Sequence, residues 1–299
     1  MKPACVLGSV TAVSLFASVA SGSVLSEWNL VVLNDLVTTS EVDGSALVGG
    51  SVLGTSNYST HLVTASNGAG LAVGGNIGAG INVQVNNGGD LRITGSVLGI
   101  ANMNGGSIIA DPTIPAVAAA AIAEAQGISA YLATLTANGS IDPGGNFSAV
   151  PTNYGGQMVA VYNITQAQFD AFGGVNLNFG AADSVIINFT ADGSGIVDLI
   201  APPNLTGGFA NQSNSSKILW NFIGATQVKT NNTFNGALLA PDADLQVLGG
   251  GINGSVVVDS ISVMNAEIRR HNYDGFIPSP GAAALFTAAG LAAVIRRRR

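Results

Sequence analysis

Asp242 and Asp244 stand two residues apart in "GALLAPDADLQV", Gly236 to Val247. On a continuous strand such residues share a face, so two carboxylates would sit side by side. A pair of this kind supplies the acid and base of polysaccharide cleavage, or oxygen ligands for Ca²⁺. The same spacing suits a solvated strand edge, where charge blocks unwanted pairing. Asp192, Ser194 and Asp198 in "DGSGIVD" form a weaker oxygen cluster, lacking the alternating ligands and terminal glutamate of a calcium loop. The two histidines, His61 and His271, are far apart in the chain, and Cys5 is the single cysteine. With no nucleophile-elbow glycine–serine motif, Ser/His or Cys/His catalysis has no support. No glycine loop with an adjacent lysine offers to cradle phosphate. These residues call for no metal and no cofactor.

The elements that would carry such groups are strands. The 299 residues are 47% hydrophobic and only 9% charged, which excludes ordinary disorder. Forty glycines fit poorly with a helical protein, because each costs about 1 kcal/mol in a helix interior. Short alternations of Val, Ile, Asn, Ser, Thr and Gly predict many strands joined by tight turns. All 17 acidic residues lie between Glu27 and Asp274, whereas five of the ten basic ones are Lys2 and Arg296 to Arg299. The body is therefore more acidic than the whole-chain −7, and a nucleic-acid partner is excluded for want of clustered Lys and Arg.

Both ends read as addresses. Lys2, the apolar run Val6 to Phe16 and the small-x-small site Ser18-Val19-Ala20 make residues 1–20 a secretory signal. Gly281 to Ile295 is an apolar stretch of 15 residues, shorter than the ~20 that span a bilayer, followed by Arg296, Arg297, Arg298 and Arg299. The arginine block would hold this end on the cytoplasmic side of a membrane, leaving the body outside. Pro278-Ser279-Pro280, an apolar helix and a terminal arginine cluster together resemble the PEP-CTERM class of bacterial sorting signals, with Ser279 in place of the namesake glutamate. That resemblance implies an exosortase-like membrane enzyme as partner and a tail, residues 277–299, whose membrane association is transient. A simple membrane anchor is the alternative.

Between these ends, residues 21–276 show no linker. "SALVGGSVLG" (Ser45 to Gly54), "GLAVGGNIGAG" (Gly70 to Gly80) and "DLRITGSVLG" (Asp90 to Gly99) repeat one phrase, and Leu47, Leu71 and Leu91 mark it. Leu238 and Val256 mark a later pair, and Leu238-Leu239-Ala240-Pro241 reads as a strand ending at a corner that proline fixes. A period near 20 residues predicts a mainly β fold, a right-handed β-solenoid with Val, Leu, Ile and Ala inward. Gly and Asn are expected at left-handed corners. A β-sandwich is the alternative. Thr113 to Gly139 is alanine-rich and predicts one long flanking helix, with Ile122, Ile128, Leu132 and Leu135 on its apolar side and Gly127 a weak point.

The C-terminal half carries the most specific stretch, Ile218 to Phe276. Its Trp220-Asn221-Phe222, Ala225-Thr226, Phe234-Asn235-Gly236, Leu239-Ala240-Pro241, Gly254 to Val258 and His271 resemble the choice-of-anchor A domain, grouped with ice-binding-like adhesive domains. "WNLVVLNDL" (Trp28 to Leu36) and "GLAVGGNI" (Gly70 to Ile77) extend the match to the N-terminal half. The resemblance implies an exported, surface-associated, non-catalytic β-solenoid that binds a glycan or a surface protein. Thr38, Thr39, Thr226 and Thr230 do not recur at the coil period, as a flat ice-binding face would need. A polysaccharide-active enzyme using Asp242 and Asp244, or a purely structural envelope component, are the competing readings.

Overall fold

The computed structural model describes residues 24–200 and 203–278. Ser18, Ala20, Ser279, Pro280 and Arg296 to Arg299 lie outside the described residues; Pro278, the last within them, is buried. The predicted β architecture is present as stacked coils whose strands pair in parallel with the coils before and after. The main sheet runs in the order Thr152–Tyr154, Gln157–Thr165, Ser184–Thr190, Ile218–Ile223, Ala237–Val247, Val256–Met264, Leu30–Val32, Ala46–Val48, Ala69–Val73, Asp90–Ile93, Ile108–Ala110. All these pairs are parallel except the first. Its order departs from chain order at one seam, where Leu30, Val31 and Val32 pair with Val256, Val257 and Val258. The chain thus builds one stack outward from Leu30, returns, and builds a second stack that ends against the first.

The return is made by the helix Ile114–Leu132, 19 residues long. Ile114, Ala118, Ile122, Ala125 and Leu132 are its buried side, packed on Val31, Leu47, Ala72, Val161, Ile186, Leu219, Leu239 and Val257 of the main sheet. Small alanines let its axis approach the sheet, and Pro115 sits at its start, where a missing N–H costs nothing. It stops before Gly139 because Asn138 and Gly139 turn back to donate their backbone N–H groups to Val161 O. Its last carbonyls are satisfied from below. Asn163, Asn188 and Asn221 stand in register; Asn188 Nδ2 donates to Leu132 O at 2.7 Å, and Asn221 Nδ2 to Ser129 O at 3.1 Å. Each of these two also donates to the amide oxygen of its neighbour, Asn188 to Asn163 and Asn221 to Asn188.

Two further faces complete each coil. Ser56–Tyr58, Asn82–Val85 and Ile100–Met103 form one stack, and Phe234–Asn235, Ile252–Asn253 and Ile268–Arg269 another, joined through Val42, which bridges to Tyr58 and Ile268. The third face continues from Ile196–Leu199 and Gln227–Thr230 through Asp244 and Ser260 to Leu36, Val52, Ile77 and Val97. The interior between the faces is aliphatic in the first stack apart from Tyr58, and rich in aromatic rings in the second. There Trp220 packs within 5.2 Å of Phe209 and Phe234, and Phe222 within 5.4 Å of Phe189. Trp220 and Phe222 are thus core residues.

Three details differ from the sequence reading. Leu71 pairs with Leu91 and Leu238 with Val256, but Leu47 pairs with Ala72, not Leu71. One residue reverses the side: Leu71 points inward with Ala46, while Leu47 lies under the helix. Pro241 does not end its strand; Ala237–Val247 runs through it, with the register shifting between Ala240 and Asp244 as the chain passes from one face to the next. Left-handed corners are taken by Gly68, Gly80, Gly88 and Asn87, but not by the glycines of the repeated phrase. Gly49, Gly74 and Gly95 are absent from the positive-φ positions. They are needed because successive coils touch: a Cβ would lie 2.2 Å from Leu33 O at Gly49, 2.1 Å from Gly49 O at Gly74, and 2.2 Å from Gly75 O at Gly95.

This contrast makes a stability prediction. Gly74→Ala drives a methyl into backbone and is expected to cost about 3 kcal/mol, the upper range for overpacking. Gly127→Ala meets nothing within 4 Å and is expected to add up to ~1 kcal/mol through helix propensity. Denaturant melts of the two variants check both signs.

Candidate functional site

The outward side chains of the second face form a row. Asn57 stands in register with Gln84, and Gln84 with Asn102. One residue before the bridged Val42 and Ile268, Glu41 and Glu267 continue it. The inward neighbours Tyr58, Val83 and Val85 are fully buried, so the alternation of the strand turns the carboxylates and carboxamides to solvent. Strands repeat at ~4.8 Å, so one polar group is offered per rung. Asn57 Nδ2 donates to Glu41 Oε1 at 3.2 Å, Asn102 Nδ2 to Asn82 Oδ1 at 2.8 Å, and Asn104 Nδ2 to Asn86 Oδ1 at 2.7 Å. These bonds hold the amides in fixed orientations.

At the seam the row enters a cleft of about 400 Å³. The first stack contributes Glu41, Asp43 and His61; the second contributes Gln212, Glu267, Arg269, Arg270 and His271. The two histidines, remote in sequence, therefore face one cavity. Asp43 organises it. Its side chain is only 9% exposed and accepts from Thr60 Oγ1 at 2.7 Å and from the Arg270 N–H at 3.1 Å. His61 Nδ1 lies 3.0 Å from the same carboxylate, with its ring half exposed. Arg269 is engaged by Glu267 at 2.8 Å and donates to Gly250 O.

His271 carries a backbone φ of +121°, a region that non-glycine residues avoid. Gln212 Nε2 donates to its Nε2 at 3.2 Å, which requires the lone pair of a neutral ring. Burial, and then the neighbouring Arg270 charge, pull its pKa below the usual histidine value against a smaller opposing pull from Asp43. A second cavity of about 550 Å³ shares Arg270 and His271 and adds Leu62 and Val63 to its lining.

The carboxylates singled out by spacing have different partners. Asp242 accepts from Gln126 Nε2 of the helix at 2.6 Å. Asp244, beyond the register shift, accepts from Ser262 N at 2.9 Å, Ser262 Oγ at 2.6 Å and Gln227 Nε2 at 3.3 Å on the third face. Asp192 accepts from the Ser194 hydroxyl and N–H, which lower its pKa, and Asp198 accepts from the Ile200 N–H. These are turn and edge bonds. Among the described residues, no group of three or more His, Cys, Asp or Glu side chains is arranged to hold a metal ion. Nor is any helix there long and apolar enough to cross a membrane.

A protein-family model described as "Putative Ice-binding-like adhesive domain" matches residues 21–270. The chain belongs to this ice-binding-like adhesive family. No curated protein matches the sequence. Among solved structures, it is similar to an ice-binding protein from the Antarctic ascomycete Antarctomyces psychrotrophicus, at 14% identity and a TM-score of 0.36, over 82% of this chain and 94% of that one. It is also similar to an ice-binding protein from an Antarctic biological consortium, at 12% identity and a TM-score of 0.30, over 90% and 100% of the two chains.

Within this adhesive-like domain, the row and its cleft can hydrogen-bond a ligand rich in hydroxyls from both sides, since carboxylates accept and carboxamides do both. The sequence held one signal for it: Glu41, Asn57 and Gln84 each precede a buried apolar residue. A pH effect is expected too. Because His271 has a depressed folded pKa, its contribution to stability is complete above the unfolded value near 6.5 and is lost as pH falls through the folded one. Thermal melts between pH 7 and pH 5 should show this acid-side loss, and His271→Gly should flatten it.

Proposed function

We propose that this is an exported bacterial cell-surface or extracellular-matrix protein whose second face and seam cleft bind glycan. The observation that carries the reading is the in-register row Glu267, Glu41, Asn57, Gln84, Asn102, ending in the two-histidine cleft. A repeating polyol meets a repeating set of oriented acceptors and donors there, while Leu62 and Val63 offer an apolar wall for a sugar face. The row carries acids and amides where a flat ice-binding face would carry threonines. The adhesive-like family supports the class of function, and the motifs of Ile218 to Phe276 support the finer choice-of-anchor A assignment. The coil is taken as right-handed, the hand of nearly all parallel crossovers.

Binding of the full-length protein to a panel of bacterial polysaccharides tests this. The pair Asn57→Ala and Gln84→Ala is expected to weaken binding at least about tenfold, the equivalent of ~1.4 kcal/mol. Undiminished binding by the double variant, or binding confined to surface proteins, removes the glycan reading.

Export and sorting rest on the two ends of the sequence. Cleavage after Ala20 would release the body. Pro278, Ser279, Pro280 and Arg296 to Arg299 would present a handle to an exosortase-like enzyme, after a transient stay in the membrane. Intact mass of protein recovered from the cell surface is expected to lack the residues after Pro280. A mass that retains Arg296 to Arg299 would make the tail a plain anchor.

A further inference from the structure

The first stack finishes abruptly on the coil of residues 96–110. Ile100–Met103 and Ile108–Ala110 are the outermost strands of their sheets, and Val97 is the last bridge of the third face. Among the described residues no strand lies beyond them, so each leaves a line of backbone N–H and C=O groups without a strand partner there. Side-chain burial fails at the same place. In the coils just inside, Ile77, Val83, Val85 and Leu91 are 0% exposed. Their successors Val97, Ala101 and Met103 are only half-buried, and Ile108, which follows Leu91, is 51% exposed. Around them Leu98 and Ile100 are 59% and 58% exposed.

The opposite end of the protein is finished differently. Thr152–Tyr154 folds back antiparallel on Gln157–Thr165, and Ser140–Ile141 on Asn146–Ser148. The inner residues there, Phe147, Ala160 and Tyr162, stay at 0 to 1% exposure. Exposed β edges are ordinarily blunted by lysine, proline or inward charge. The terminal coil "SVLGIANMNGGSIIA", Ser96 to Ala110, holds no charged residue and no proline.

We propose that this coil end is the contact surface for a second copy of the chain, joined end to end about a two-fold axis. An unpaired strand edge is complemented by another strand edge, and in a two-fold arrangement the same surface serves both partners. Charge selects the surface. The body is acidic and two copies repel over most approaches, but the terminal coil is uncharged and presents apolar groups to apolar groups. Because a two-fold contact uses the same surface on both copies, association stops at two instead of growing into a filament. The dimer would carry two clefts, giving bivalent binding.

Light scattering coupled to size exclusion on the full-length protein tests the proposal. The wild type is expected at twice the chain mass. Ile100→Lys with Ile108→Lys, both at exposed positions, should run at half the wild-type mass with an unchanged circular-dichroism spectrum and melting temperature. Val150→Lys, exposed beside the closed end, should leave the dimer intact. A wild type that stays monomeric from micromolar to millimolar concentration overturns the proposal. So does a dimer that survives both lysines, or one that Val150→Lys dissociates.

Discussion

Everything in this protein depends on the pairing of the main sheet's first strand in the chain with that sheet's last. Leu30–Val32 joins Val256–Val258 across more than 220 residues of chain, and without that seam there are two unfinished stacks. Asn29 locks it. Fully buried, it donates through Nδ2 to Gly254 O at 3.2 Å and to Arg269 O at 3.1 Å, while its Oδ1 accepts from Gly44 N at 2.9 Å. One side chain thus ties both stacks, and its three bonds must be made because a buried amide left unpaired costs about 1–3 kcal/mol per group. Ser255 adds a second tie, donating to Leu25 O and accepting from Tyr273 N. The helix then covers the joint, touching strands on both sides of it.

The site inherits this dependence. Asp43 accepts from the Arg270 backbone and from Thr60, while its own N–H donates to Ile268 O. It is at once a seam residue and the centre of the cleft. The cavity therefore does not exist in either half of the sequence alone, and a mutation that loosens the seam removes the site with it. The strained φ of His271 belongs to the same joint: the chain bends there because Arg270 is held by Asp43 and Tyr273 by Ser255. Closure of the fold supplies the energy that holds an unfavourable backbone where two cavities meet.

Much of the fold was legible because strand alternation survives in phrases such as "SALVGGSVLG" and "DLRITGSVLG". The coil register was harder to read. Leu30, Ala46, Leu71, Leu91 and Ile108 stand in register although 16, 25, 20 and 17 residues separate them. The excess of the longest interval lies in the segment 59–68, between the second face and the main sheet, and the faces on either side of it stay aligned. A variable loop at one corner erases a period without disturbing a stack, and it also displaced Leu47 by one residue. The cleft was not legible at all. No local pattern says that Val42 lies between Tyr58 and Ile268, so nothing connected His61 to His271. The Asp242–Asp244 spacing, by contrast, was conspicuous, and its carboxylates turned out to hold the helix and the third face.

Glycine serves this fold in two ways: Gly68, Gly80 and Gly88, with Asn87, take the expected left-handed backbone, while the repeated phrase answers to packing. Gly49, Gly74 and Gly95 occupy backbone that any residue adopts, yet each has a carbonyl of the preceding coil where its Cβ would be. Coil-to-coil spacing is set by the hydrogen bonds of the main sheet and is the same at the corner, where there is no pleat to lift a side chain clear. A corner residue must then be small, and the side chain that follows it becomes useful: Ser51 N is capped by Asp35, Asn76 N by Ser51, and Ser96 N by Asn76. The glycines of Gly49-Gly50-Ser51, Gly74-Gly75-Asn76 and Gly95-Ser96 are therefore the record of a packing constraint between coils.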